Sequence, residues 1–150
     1  MHRPCLLVFA LSSLLLAAQS GSRVRYVGGT VAEIGNKTEA RLEINSSDNL
    51  CLRTSKASFH IDYRSINTIE YGMRVNRRYL EAVIISPLML LSKKREHYLT
   101  IGYADAEGKQ QAIVLRVGAG EIRPLLVGLE ARTGRRIEFQ DEEARKAGKG

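Results

Sequence analysis

The 150-residue chain predicts a mainly β domain: a small antiparallel barrel or sandwich of about seven strands with one C-terminal amphipathic helix. Three observations predict it. Between Thr30 and Val117, short β-branched or alternating runs are separated by clusters of Gly, Asn, Asp, Ser and Lys, the punctuation of tight turns. From Glu121 the apolar period lengthens from that of a strand to that of a helix. The length, with 44% hydrophobic and 26% charged residues, suits one globular core. With no Trp and three Phe, that core must draw on Ile, Leu, Val and Tyr.

Taken in order, Gly28-Gly29 ends a polar opening stretch, so residues 21–27 read as a linker and Thr30 to Ile34 as the first strand. Gly35-Asn36-Lys37 turns the chain, and Ala40-Arg41-Leu42-Glu43-Ile44 alternates like a half-buried strand. Asn45 to Asn49 is a turn cluster, Leu50 to Thr54 the next strand, and Ala57 to Tyr63 another, with Phe59, Ile61 and Tyr63 on one face. Ile66 to Tyr71 completes an expected antiparallel meander of five. Strands return at Glu96 to Ala104 and Gln111 to Val117, joined by Asp105-Ala106-Glu107-Gly108-Lys109, a hairpin with Gly where positive φ is needed. Ile122, Leu125, Leu126 and Leu129 then share one helical face, Pro124 is tolerated in a first turn, and Gly134 is a natural stop. Arg135 to Phe139 is a candidate last strand, and residues 141–150 read as a flexible charged tail. The domain is thus expected over residues 28–140.

The first 20 residues carry a different pattern. A basic start, Met1-His2-Arg3, precedes an apolar run from Leu6 to Ala18, and Ala18-Gln19-Ser20 supplies the small residues of a cleavage site. The run is shorter than the ~20 residues of a membrane span. Residues 1–20 therefore read as a signal peptide, and the protein as exported, periplasmic or extracellular; an uncleaved membrane tether is the alternative. Cleavage would remove one of 23 basic residues and none of 16 acidic ones, leaving a net charge of +6. Cys51 would be the one remaining cysteine, so no intramolecular disulfide is expected, and its apolar neighbours suggest a buried thiol.

Residues 73–95 break the rhythm. Arg74, Arg77 and Arg78 on one side, and Lys93, Lys94 and Arg95 on the other, bracket an apolar stretch from Tyr79 to Leu91 that includes Leu88. Pro87 prevents one regular helix or central strand there. Exposed, the stretch would enter a bilayer shallowly while each cation met anionic headgroups, worth about 1 kcal/mol apiece. Buried, Val83 to Ile85 and Leu88 to Leu91 would fill the core and the cations would form a solvated rim. A protein partner is a third reading of the same surface.

Leu50-Cys51-Leu52, then Phe59-His60-Ile61-Asp62-Tyr63, then Ile66-Asn67-Thr68-Ile69-Glu70-Tyr71 form an apolar strand, an aromatic-x-x-Ile corner and a second strand. In this pattern, and in strand order with a C-terminal helix, residues 28–139 resemble the pleckstrin-homology-like barrels, including the bacterial and GRAM-type variants. The resemblance implies a small bent barrel acting as a binding domain. The insertion at 73–95 and a strand after the helix depart from it, and a lipocalin-like barrel or another small sandwich is the alternative.

Catalytic chemistry is poorly marked. His60-Ile61-Asp62 places an imidazole and a carboxylate on one strand face, but no Gly-x-Ser-x-Gly elbow supplies a nucleophile. No Cys/His spacing suits zinc, Asp105 to Gly108 is too short for a calcium loop, and Gly118-x-Gly120 followed by Glu121 does not suit a phosphate. No cofactor or metal is expected. Nor is nucleic acid, since no aromatic stacking array accompanies the cations. The expectation is an exported, non-catalytic binding domain contacting an anionic membrane surface or a protein partner through Arg74, Arg77, Arg78, Leu88, Lys93, Lys94 and Arg95. A small hydrolase built on His60 and Asp62, or a carrier of a small apolar ligand, is the alternative.

Overall fold

The computed structural model of the chain describes residues 21–75, 84–85 and 95–149. Its strands are β1 (Ser22–Gly29), β2 (Thr38–Glu43), β3 (Asn49–Thr54), β4 (Ser58–Asp62), β5 (Ile66–Gly72), β6 (Ile84–Ile85), β7 (His97–Ala104), β8 (Gln110–Val117) and β9 (Glu138–Phe139). A 3-10 turn (Tyr63–Ser65) joins β4 to β5. Two helices follow β8, α1 (Ile122–Thr133) and α2 (Glu142–Lys149). The fold is mainly β with helices at its C-terminal end, as the change of period at Glu121 predicts.

The stretch expected to be a linker, 21–27, is instead largely β1. Arg23 and Arg25 gave it a polar look, but the alternate residues Val24 and Tyr26 are 2% and 1% exposed, an inward/outward period of two. The expected first strand, Thr30 to Ile34, is a loop. Its Val31 and Ile34 drop into the core from outside the ladder, and Lys37 makes the reversal at φ 68°.

The long strands lie in the order β4-β3-β2-β1-β8-β7-β5, with β9 beyond β5. β1 is central: it pairs β8 on one edge, and on the other pairs β2 along Ser22–Tyr26 and β6 at Gly28–Gly29. A register shift between Tyr26 and Gly28 bends it. The expected meander stops at β4, because β5 pairs β7 rather than β4. Every step of the order from β4 to β5 is antiparallel, and the number of steps is even, so β4 and β5 run in the same sense. The chain therefore passes from one to the other as a single bent path through the 3-10 turn, the corner by which a strand switches sheets. Among the described residues no pairing joins β4 to β5, and the sheet is not closed. It is also mixed, since β9 runs parallel to β5.

The core lies between the two halves of this bent sheet. Leu42, Leu50, Leu52, Ile66, Ile69, Leu99, Ile101, Ile113 and Leu115 are fully buried there. Ile122, Leu125, Leu126 and Leu129 of α1 close it, and Gly134 ends the helix at φ 66° as predicted. The tail expected to be flexible is α2. Asp141 Oδ1 accepts from Ala144 N–H at 2.7 Å, an N-cap, and Ala144 is fully buried. Its many charges mask a face of small residues, Ala144, Ala147 and Gly148, that lets the helix approach closely.

β7 and β8 are buried on both sides. Leu99, Ile101, Ile113 and Leu115 face the main core, while Tyr98, Ala112 and Val114 join Val27 in a second apolar cluster on the opposite face. Val75 packs against that second cluster, at the start of the 73–95 insertion.

Candidate functional site

The predicted contact surface is only partly within the described residues. Arg74 and Arg95 are exposed; Arg77, Arg78, Leu88, Lys93 and Lys94 lie outside them. Of the apolar stretch, only Ile84–Ile85 is described, as the strand that extends the β2 edge of β1. Arg95 forms an ion pair with Glu143 of α2.

Arg95 also marks a surface that sequence reasoning missed. It lines a cleft of about 410 Å3 together with Arg23, Arg25, Glu39, Glu96, His97 and Arg116. The strand register explains the gathering. Arg25 stands opposite Arg116 of β8 and opposite Glu39 of β2, while Arg23 stands opposite Arg41, which stands opposite Arg53 of β3. Residues opposite one another, or two apart on a strand, share a face. Five arginines from four strands thus share the outer face of the sheet. In sequence each is merely the polar member of an alternating run; the register that aligns them is not written in any one run.

Like charges in adjacent strands repel, and carboxylates offset part of this. Arg25 pairs with Glu39, Arg116 Nη1 donates to Glu96 Oε1 at 2.7 Å, and Arg53 donates twice to Glu43, at 3.0 and 3.1 Å. The Arg53 guanidinium holds the Glu43 carboxyl below its usual range. Such exposed pairs are worth about 0–1 kcal/mol each, so they order the face without removing its positive balance. Arg23 donates its backbone N–H to Glu121 Oε2 at 2.7 Å. Among the described residues its guanidinium has no partner. Glu121 therefore tethers β1 rather than capping its own helix.

His97, which also lines this cleft, stacks on Tyr71 with centroids 5.9 Å apart. Its Nδ1 lies 2.5 Å from the Tyr71 hydroxyl. Burial pushes the imidazole below its ordinary value and the phenol above its own.

A second concavity, about 700 Å3, lies along β4. Phe59, His60, Ile61 and Asp62 form one wall with Arg64 and Ser65, and Thr30, Val31, Glu33, Tyr103 to Ala106 and Gln111 form the other. Phe59 and Tyr103 meet edge to face, 6.4 Å between centroids. His60 and Asp62 both line it, yet they are engaged separately. His60 Nδ1 is 3.2 Å from Asn49 Oδ1 and its Nε2 is 3.9 Å from Cys51 Sγ, whereas Asp62 Oδ1 accepts from Arg64 N–H at 2.8 Å. Asp62 is thus a cap of the 3-10 turn. Cys51 is a buried free thiol, as predicted, and burial pushes it up, away from the thiolate a nucleophile needs.

Among the described residues no group of three or more His, Cys, Asp or Glu could hold a metal ion, and no helix is long and apolar enough to cross a membrane. No protein-family model matches the chain, and no curated protein sequence matches it significantly.

Proposed function

We propose that the chain is an exported, non-catalytic binding domain of pleckstrin-homology-like architecture that docks on an anionic membrane surface through residues 74–95. The observation that carries this reading is the arginine face: Arg95, at one end of the basic-apolar segment, shares a cleft with Arg23, Arg25 and Arg116. Arg95 thereby adds its charge to that of the sheet, and each cation near an anionic surface contributes about 1 kcal/mol.

The architecture supports the reading. Seven long strands form one bent sheet with the first strand at its centre, and a helix follows the last of them. The insertion and β9 are this chain's departures from that plan. A membrane is favoured over a protein partner because the cations bracket an apolar stretch rather than an aromatic-rich patch.

Reversing Arg77, Arg78, Lys93 and Lys94 to Glu tests it. The variant is expected to keep the wild-type circular dichroism and lose sedimentation with anionic vesicles. Undiminished binding by the folded variant would remove segment 74–95 from the mechanism.

A further inference from the structure

Among the described residues β4 has no strand on its outer edge. Tyr63 N–H donates to Asp48 C=O at 2.9 Å and Thr54 N–H to Ala57 C=O at 2.8 Å. Given the β3–β4 register, these two bonds fix the parity of the ladder: Phe59 and Ile61 direct their backbone groups to β3, and Ser58 and His60 direct theirs away from it. The Asp62 carbonyl, on the same outward side, is taken by Ser65 Oγ at 2.8 Å. β4 ends the sheet order, so the N–H and C=O of Ser58 and His60 have no strand to pair with among the described residues. Such an edge is a template for another strand.

The 700 Å3 concavity runs along this edge. Residues of both parities in β4 line it, which is the signature of an edge rather than of either face. Its apolar lining includes Phe59, Ile61, Val31 and Tyr103. Glu33, Asp62 and Asp105 add three carboxylates against the one guanidinium of Arg64, in a chain whose formal net charge is +7. Asp105 accepts from the Lys109 N–H and the Gln111 amide, at 2.8 and 2.6 Å, and the Gln111 bond above all holds it below the usual carboxylate range.

We infer that β4 accepts an extended, basic peptide segment of a protein partner, which adds as an edge strand, bonds Ser58 and His60 through its backbone and sets alternate side chains against Phe59 and Tyr103. Backbone pairing supplies affinity and the acidic rim selects cations.

The test uses the full chain and a fluorescent octapeptide of alternating lysine and valine, followed by polarisation and by hydrogen–deuterium exchange. Binding should slow exchange in the fragment containing Ser58–Asp62, and backbone N-methylation of the peptide should abolish it. His60→Pro removes an N–H that β3 does not use, and should weaken binding about tenfold. Glu33→Lys, on an exposed loop, should weaken the lysine peptide about fivefold and strengthen the glutamate–valine counterpart. Equal binding of the N-methylated peptide, protection elsewhere, or no binding would overturn the inference. So would concentration-dependent dimerisation lost in His60→Pro, which would give the edge to a second copy of the chain.

Discussion

Tyr63 and His97 show how single side chains here sit at odds with their surroundings. Tyr63 is 4% exposed, and its hydroxyl has no hydrogen-bond partner among the described residues. A buried unpaired hydroxyl costs about 1–3 kcal/mol, so Tyr63→Phe should leave stability unchanged or raise it by about 1 kcal/mol in denaturant titration; a clear loss would mean the hydroxyl is satisfied. His97 bears on pH. Burial disfavours its imidazolium, so its folded value lies below the ordinary 6.5. The unfolded chain therefore takes up the proton first as pH falls: this contribution is whole above about pH 6.5 and is lost as pH drops through the folded value. The charged groups lining the same cleft are Arg23, Arg25, Glu39, Arg95, Glu96 and Arg116, and the Tyr71 hydroxyl faces the ring directly. The denaturant midpoint should decline as pH falls below about 6.5, and His97→Gln should flatten that decline. The polar atoms of neither residue announced themselves in sequence, because the burial around them comes from other elements.

Among the elements, those with a clear period were legible. The β7–β8 hairpin, with Gly108 at φ 78°, and α1, with its four leucine and isoleucine positions, stand where alternation and spacing put them. Leu129 is fully buried, so Leu129→Ala should cost about 2–5 kcal/mol. Gly134→Ala, which forces a Cβ into left-handed backbone, should cost about 1 kcal/mol. Thermal melts of the two variants check the ranking. Legibility failed where composition and role diverge. Arginines at alternate positions disguised β1 as linker, and charged residues disguised α2 as tail. The β4–β5 corner looked like one more hairpin because a bent continuous strand and a turn share the same local residues, Tyr63-Arg64-Ser65. The candidate site shows the same divide: the cations of 74–95 stand out as a run, whereas Arg23, Arg25, Arg41, Arg53 and Arg116 gather only once register is known.

At the scale of the whole molecule, charge is divided by location. The outer face of β1, β2, β3 and β8 concentrates arginine, and Arg95 shares a cleft with three of those arginines. The groove along β4 has an acidic rim. The central claim is that the basic side meets an anionic membrane, and co-sedimentation of the purified chain with neutral and with anionic vesicles, at low and physiological salt, tests it most directly. An excess of binding to anionic over neutral vesicles is expected, shrinking as salt rises and disappearing in the Arg77, Arg78, Lys93 and Lys94 reversal. Equal binding to both vesicles, or an anionic excess that survives the reversal, would contradict it.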